Sequence, residues 1–300
     1  MKSLYLLLFA TVSFTFAQAQ SNTVETIQHG GMTREYRLYV PAMYDGTEAV
    51  PLVFNLHGYT SNAQQQELYG NFTAIADTAN FIIVHPEGTV DGSGQQWWNA
   101  FDAFTPDDVG FVSAMIDELD QNYNIDLNCV YSTGMSNGGF MSFELACSLG
   151  NRIAAVASVT GAMPVGKFNS CNAPKPTPIM QIHGTNDATV PYAGNTTMEP
   201  IEDIVDFWVA QTTCDPTPVV TNMPDIDMSD GSTAEHYLYT GGDQNTTVEH
   251  YKIINGEHTW PGAPIDIGVT NHDIDASVEI WRFFRQYKLD NLASVEEEDS

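Results

Sequence analysis

Positive charge is what this chain has least of. Ten lysines and arginines stand against 38 aspartates and glutamates, for a formal net charge of −28. A surface of that sign repels phosphate backbones and anionic headgroups, which excludes nucleic acid and acidic membrane surfaces as partners. Long apolar runs are scarce as well. The one from Leu4 to Phe16 is too short and wrongly flanked for a membrane anchor, and no other segment could span a bilayer. Cysteine is limited to Cys129, Cys147, Cys171 and Cys214, in a spacing that fits no zinc pattern. Internal repeats and Ser/Pro-rich linkers are missing too. About 280 residues therefore remain for one domain with a full core.

Lys2 is the only charge in the first twenty residues, and Ala17-Gln18-Ala19 follows the apolar run as a small-x-small cleavage site. Residues 1–19 are thus expected to be an export signal, 20–290 a single catalytic domain, and 291–300 an acidic tail. Export predicts a secreted or periplasmic protein and permits disulfides. Four cysteines allow three pairings, of which Cys147 with Cys171 is preferred. All four fall just before a predicted strand or near a predicted helix end. They are expected to staple the fold on the side away from its chemistry.

Strand and helix patterns alternate along the chain. Arg34 to Val40 alternates and stops at Pro41, as an early antiparallel strand would. Val50–Leu56, Phe81–Pro86, Cys129–Thr133, Ile153–Val159, Pro178–Ile182 and Val248–Ile254 read as strands, most of them continuous apolar runs buried on both faces. Helices are expected over about 63–78, 106–122, 140–149, 201–212 and 276–287. The second opens with Thr105-Pro106-Asp107-Asp108, a cap, a first-turn proline and two acids on the positive end of the dipole. The pattern predicts a mostly parallel central sheet with helices on both faces and ligand chemistry at the strand C-termini.

Gly134-Met135-Ser136-Asn137-Gly138 lies where a strand turns into a helix. This is the G-x-S-x-G nucleophile elbow, in which a strained turn exposes the serine hydroxyl and the flanking glycines make room for it. A serine needs a base, and the base needs an acid to hold it. Asp187 and His258 both fall on loops leaving strand C-termini. The order Ser136, Asp187, His258 is that of the α/β-hydrolase fold. The amides of Asn137 and of Tyr59, in His57-Gly58-Tyr59 after the early central strand, are expected to form the oxyanion hole. His85, His183 and His272 compete with His258 for the role of base, and Asp203 and Asp243 compete with Asp187. Trp97, Trp98 and Trp260 sit on loops at the same face, either as a platform for a sugar ring or aromatic acyl group or as loop packing. Asp225 to Gly231 superficially resembles a calcium loop, but its glycine is one place late and its twelfth position is His236. No metal or cofactor is called for.

Nine blocks carry a further resemblance: Tyr39-Val40-Pro41, Leu56-His57-Gly58, Pro86-Glu87-Gly88-Thr89, Trp98-Asn99, Asp107 to Phe111, Gly134 to Gly139, His183-Gly184-Thr185 with Asp187, Val190-Pro191-Tyr192, and His258 to Gly262. As a set, spanning about Tyr36 to Phe284, they resemble the polyhydroxybutyrate depolymerase and feruloyl esterase group of secreted α/β-hydrolases, which overlaps carbohydrate esterase family one. The resemblance implies the same triad and the same two oxyanion amides. It implies an ester substrate: a feruloyl or acetyl sugar, or a short-chain polyester. The substrate-binding domain that many polymer-degrading members carry on a linker is not visible here. A serine peptidase and a catalytically inactive binding protein are the remaining readings.

Overall fold

The computed structural model describes residues 20–101 and 105–292. The expected export signal and nearly all of the acidic tail lie outside the described residues.

The chain runs β1 (Ser21–His29), β2 (Met32–Val40), β3 (Val50–Leu56), α1 (Ala63–Tyr69), α2 (Thr73–Ala79), β4 (Ile82–Pro86), a small hairpin of β5 (Thr89–Val90) and β6 (Gln96–Trp97), and α3 (Asp108–Asn122). It continues through β7 (Ile125–Met135), α4 (Asn137–Leu149), β8 (Ala155–Val159), β9 (Ile179–Gly184), α5 (Ile201–Gln211), β10 (Val219–Asn222), β11 (Thr233–Tyr239), β12 (Val248–Ile254) and α6 (Ala276–Phe284).

Ten strands form one sheet in the order β1-β2-β4-β3-β7-β8-β9-β12-β11-β10. The six central strands from β4 to β12 pair in parallel, and both margins are antiparallel. Successive residues of a strand serve opposite faces. Leu52 and Phe54 therefore join a core that also holds Met115 of α3, Phe143 of α4 and Trp208 of α5. Val53 joins a second core with Ala76 of α2 and Ile280 and Phe283 of α6. The chain thus has the predicted α/β arrangement, a mostly parallel sheet covered by helices on both faces.

Three local expectations need correction. The helix expected from Ala63 to Thr78 is two helices. It breaks at Gly70, whose φ/ψ of −102°/64° leaves the helical region. A Cβ there would stand 2.7 Å from Gln66 Nε2 and 3.1 Å from the Trp260 indole, so the glycine lets both side chains pack close to the break. At α3 the proline is not in the first turn. Asp107 is the cap, its carboxylate accepting from Gly110 N–H at 2.8 Å, and helix begins at Asp108. Asp108 turns inward, where it forms an ion pair with Arg34 at 2.8 Å. Lastly, only two of the four cysteines are stapled: Cys147, on α4, is bonded to Cys171, while Cys129 and Cys214 are buried free thiols.

Among the described residues no helix is long and apolar enough to cross a membrane.

Candidate active site

The centre of the site is the joint between β7 and α4. Ser136 sits at φ 54°, ψ −119°, a strained position for a residue with a side chain. The turn closes only because its neighbours are glycines. A Cβ on Gly138 would come within 2.1 Å of the Leu56 carbonyl oxygen, and one on Gly134 within 2.6 Å of the same atom. The elbow is thereby pressed against the end of β3. Ser136 N–H donates to Val159 O at 2.8 Å, which fixes the turn to β8 as well.

Asp187 lies on the turn after β9, with its side chain fully buried. Its Oδ1 accepts from the amides of Thr189 and Val190, both at 2.8 Å. Its Oδ2 accepts from His258 Nδ1–H at 2.7 Å and stands 3.3 Å from His183 Nε2. Burial works to raise this carboxyl, but hydrogen bonds from His183 and His258 outweigh it and hold the group well below the usual carboxylate range. An ionised Asp187 keeps the His258 proton on Nδ1, which leaves Nε2 as an acceptor.

Ser136 and His258 open onto the same cleft, of about 500 Å³. Gly58 runs along its floor: a Cβ at that position would stand 4.0 Å from Ser136 Oγ. Much of its remaining lining is apolar, with Leu68, Tyr69, Ile265 and Ile267. Tyr59 borders the cleft and donates its hydroxyl to Asp91 at 2.9 Å. Behind the β3 loop, Glu87 Oε1 lies 3.4 Å from His57 Nε2, and burial pushes the Glu87 carboxyl up to about 7.

The residues singled out from the sequence separate into two groups. Ser136, Asp187, His258, the Asn137 turn and the Gly58-Tyr59 stretch are brought together. The three tryptophans are not: none lines the cleft. Trp98 and Trp260 are 0% and 1% exposed, buried as core residues, so neither presents a ring face to a ligand. Trp97 is half-buried on the small hairpin. The rival histidines are placed otherwise. His85 is buried on β4, and His272 pairs with Asp266 at 2.9 Å. His183 lies beneath Asp187, with Nε2–H donating to Val190 O at 2.8 Å and Nδ1 facing the Gln181 amide at 2.9 Å. Sequence reasoning weighed His183 only as a rival base. Its place four residues before Asp187, at the end of the same strand, was the available sign that it supports the acid. The apolar residues Ile265 and Ile267 were also missed, since their loop has no period and no motif. Among the described residues no cluster of three or more His, Cys, Asp or Glu side chains could hold a metal ion.

The chain is similar to known proteins. The chain is 28% identical over 268 residues to a bifunctional acetylxylan esterase/xylanase of Neocallimastix patriciarum, covering 88% of this chain and 35% of that protein. It is 33% identical over 169 residues to a probable feruloyl esterase C of Aspergillus clavatus, covering 54% of this chain and 57% of that one. It thus spans between a third and about three-fifths of the length of these two relatives. The solved acetyl xylan esterase of Aspergillus awamori has the same fold, with a TM-score of 0.62 at 13% identity over 88% of this chain and 99% of that one. The phospholipase/carboxylesterase family matches residues 44–212, more than half of the sequence, and the chain belongs to that family.

Proposed function

We propose that this protein is an exported serine carboxylic ester hydrolase acting on feruloyl or acetyl esters of plant cell wall polysaccharides. The observation that carries the reading is the pairing of His258 with a buried, ionised Asp187 at 2.7 Å, on a histidine that shares its cleft with Ser136. In the first half-reaction His258 Nε2 takes the Ser136 proton as Oγ attacks the ester carbonyl carbon. The carbonyl oxygen becomes an oxyanion held by the amides of Asn137 and Tyr59. Collapse breaks the bond to the alcohol, which leaves with the proton from His258, and an acyl-Ser136 remains. Water, deprotonated by the same histidine, then releases the acid and restores the serine.

The apolar side of the cleft favours an acyl group with an aromatic ring, since it offers surface to bury and few hydrogen-bond partners. The leader pattern at residues 1–19 and the Cys147–Cys171 bond support export, because disulfides persist in oxidising compartments.

The test is product release from methyl ferulate, acetylated xylo-oligosaccharide and a soluble 3-hydroxybutyrate oligomer, with wild type beside Ser136→Ala. Cleavage of the ferulate or acetyl ester by wild type alone is expected. Preference for the hydroxybutyrate oligomer would replace the sugar-ester reading with a polyester one. Equal rates for the two proteins would reject the mechanism.

A further inference from the structure

The two amides proposed to hold the oxyanion belong to different elements. Asn137 N–H opens α4, and Tyr59 N–H lies on the loop after β3. Two donors stabilise one developing charge only if their spacing and aim are set before the reaction begins. We propose that Trp98 is the positioning residue that sets them, by tying the elbow to the β3 loop. This rests on the esterase reading above.

Trp98 reaches both partners. On the elbow side its backbone pairs twice with the Asn137 side chain: Trp98 N–H donates to Oδ1 at 2.6 Å, and Nδ2–H donates to the Trp98 carbonyl at 3.1 Å. On the loop side its indole Nε1–H donates to the His57 carbonyl at 2.9 Å. That carbonyl belongs to the peptide immediately before the one that carries Tyr59 N–H. The next peptide is held in turn, because Gly58 O accepts from His57 Nδ1–H at 2.8 Å and from Ser61 N–H at 3.1 Å. Gly88 N–H donates to His57 Nε2 at 2.9 Å, which places the ring proton on Nδ1. Burial pushes His57 down to about 4, so its ring stays neutral across the range in which a histidine base works.

The tie is itself anchored. Trp98 is fully buried, with its ring tilted on that of His57 at 5.1 Å. The following amide, Asn99 N–H, donates to Asp108 Oδ2 at 2.8 Å. Asp108 is bound by Arg34, which also donates to Glu87 O at 3.0 Å. The chain of contacts thus runs from β2 and α3 through Trp98 to both oxyanion amides. Trp98 does not line the cleft, so it acts only through Asn137 and His57. Among apolar side chains tryptophan alone carries a ring N–H, which is what the His57 carbonyl uses.

Two variants separate this role from simple packing. Trp98→Phe keeps a buried ring and the backbone pairing but removes the donor to His57 O. Asn137→Ala keeps the backbone amide but releases the clasp, at a half-buried position that tolerates the change. Each is expected to lower kcat for a soluble ester about 10- to 100-fold with KM within about threefold. Each should weaken an arylboronic acid, whose tetrahedral adduct on Ser136 resembles the transition state, by a similar factor. Binding of the intact ester, measured in the Ser136→Ala background, should not change. Should Trp98→Phe fail to fold, Asn137→Ala decides alone. Folded variants with wild-type kcat and boronate affinity, or with losses in KM only, would overturn the role of Trp98. A wild type that neither cleaves esters nor binds the boronate would overturn the esterase reading first, and this inference with it.

Discussion

The two sides of the cleft are built on opposite principles. The side with Ser136 and Gly58 is over-determined. The elbow is wedged against β3 by glycines that leave no room for a Cβ, tied to β8 through Ser136 N–H, and clasped by Trp98. Every one of these contacts comes from the sheet or from a residue buried beneath it. The apolar lining is looser. Leu68, Ile265 and Ile267 are each at least 60% exposed, the first on a helix of two turns and the others on a loop. Bond-breaking geometry tolerates errors of a fraction of an ångström, whereas an acyl pocket needs only approximate shape. On the proposed function, rigidity is therefore concentrated where the bond would change, and the acyl group would meet replaceable apolar side chains.

Substitutions on the two sides should differ accordingly. The largest effect belongs to Ser136→Ala, expected to cost on the order of 10⁶-fold in turnover, by analogy with other serine triads, with the cleft unchanged. Residual activity within tenfold of wild type would remove Ser136 from the mechanism. Next comes Gly138→Ala. Its Cβ would meet the Leu56 carbonyl at 2.1 Å, so either β3 or the elbow must move. Losses of about 1–3 kcal/mol in stability, by urea unfolding, and of most activity are expected. A variant with unaltered midpoint and rate would show that the elbow is not pressed on β3.

Behind the same wall, Glu87 gives a smaller, pH-dependent effect. Its folded pKa of about 7 lies above the ordinary 4.5, so between those values the unfolded chain has released a proton that the folded one still holds. Stability contributed by this group is present at low pH and declines as pH rises through that window. Glu87→Gln should flatten the change in unfolding midpoint between pH 5 and pH 8, and a slope equal to that of wild type would contradict the assignment. The smallest effects are expected across the cleft. Ile265→Ala or Ile267→Ala should raise KM for an aryl ester a few-fold with kcat nearly kept, because only part of an already exposed side chain is lost. A tenfold fall in kcat from either would mean that the two walls are not separable in this way.

The same contrast explains what could be read in the sequence. The central strands were legible because strands buried on both faces are apolar throughout, and Val50–Leu56 and Val248–Ile254 were placed to the residue. The residues gathered at the site were legible because a parallel sheet puts loops such as those of Ser136, Asp187 and His258 at one end. The margins were not. β1, which is mostly exposed, and β10, exposed at all four residues, bury too little to leave a period, and both were missed. The tryptophans misled for the reverse reason. A loop position suggests exposure, but Trp98 and Trp260 are loop residues drawn into the core, and the glycine that admits Trp260 lies 190 positions earlier. No local pattern encodes a contact of that range.

The unequal fate of the four cysteines has a consequence for how the protein is lost. Two are joined, and two are shut away, at 3% and 6% exposure. In the folded state burial pushes the Cys129 thiol up to about 11, so it is not the thiolate that attacks a disulfide. Unfolding removes that protection. The thiol returns to the ordinary range, becomes accessible, and can exchange with the Cys147–Cys171 bond to give wrong pairings. In an oxidising compartment, the working lifetime of this protein is then set by how seldom it opens rather than by its equilibrium stability. The fold acts as the protecting group for its own sulfur chemistry.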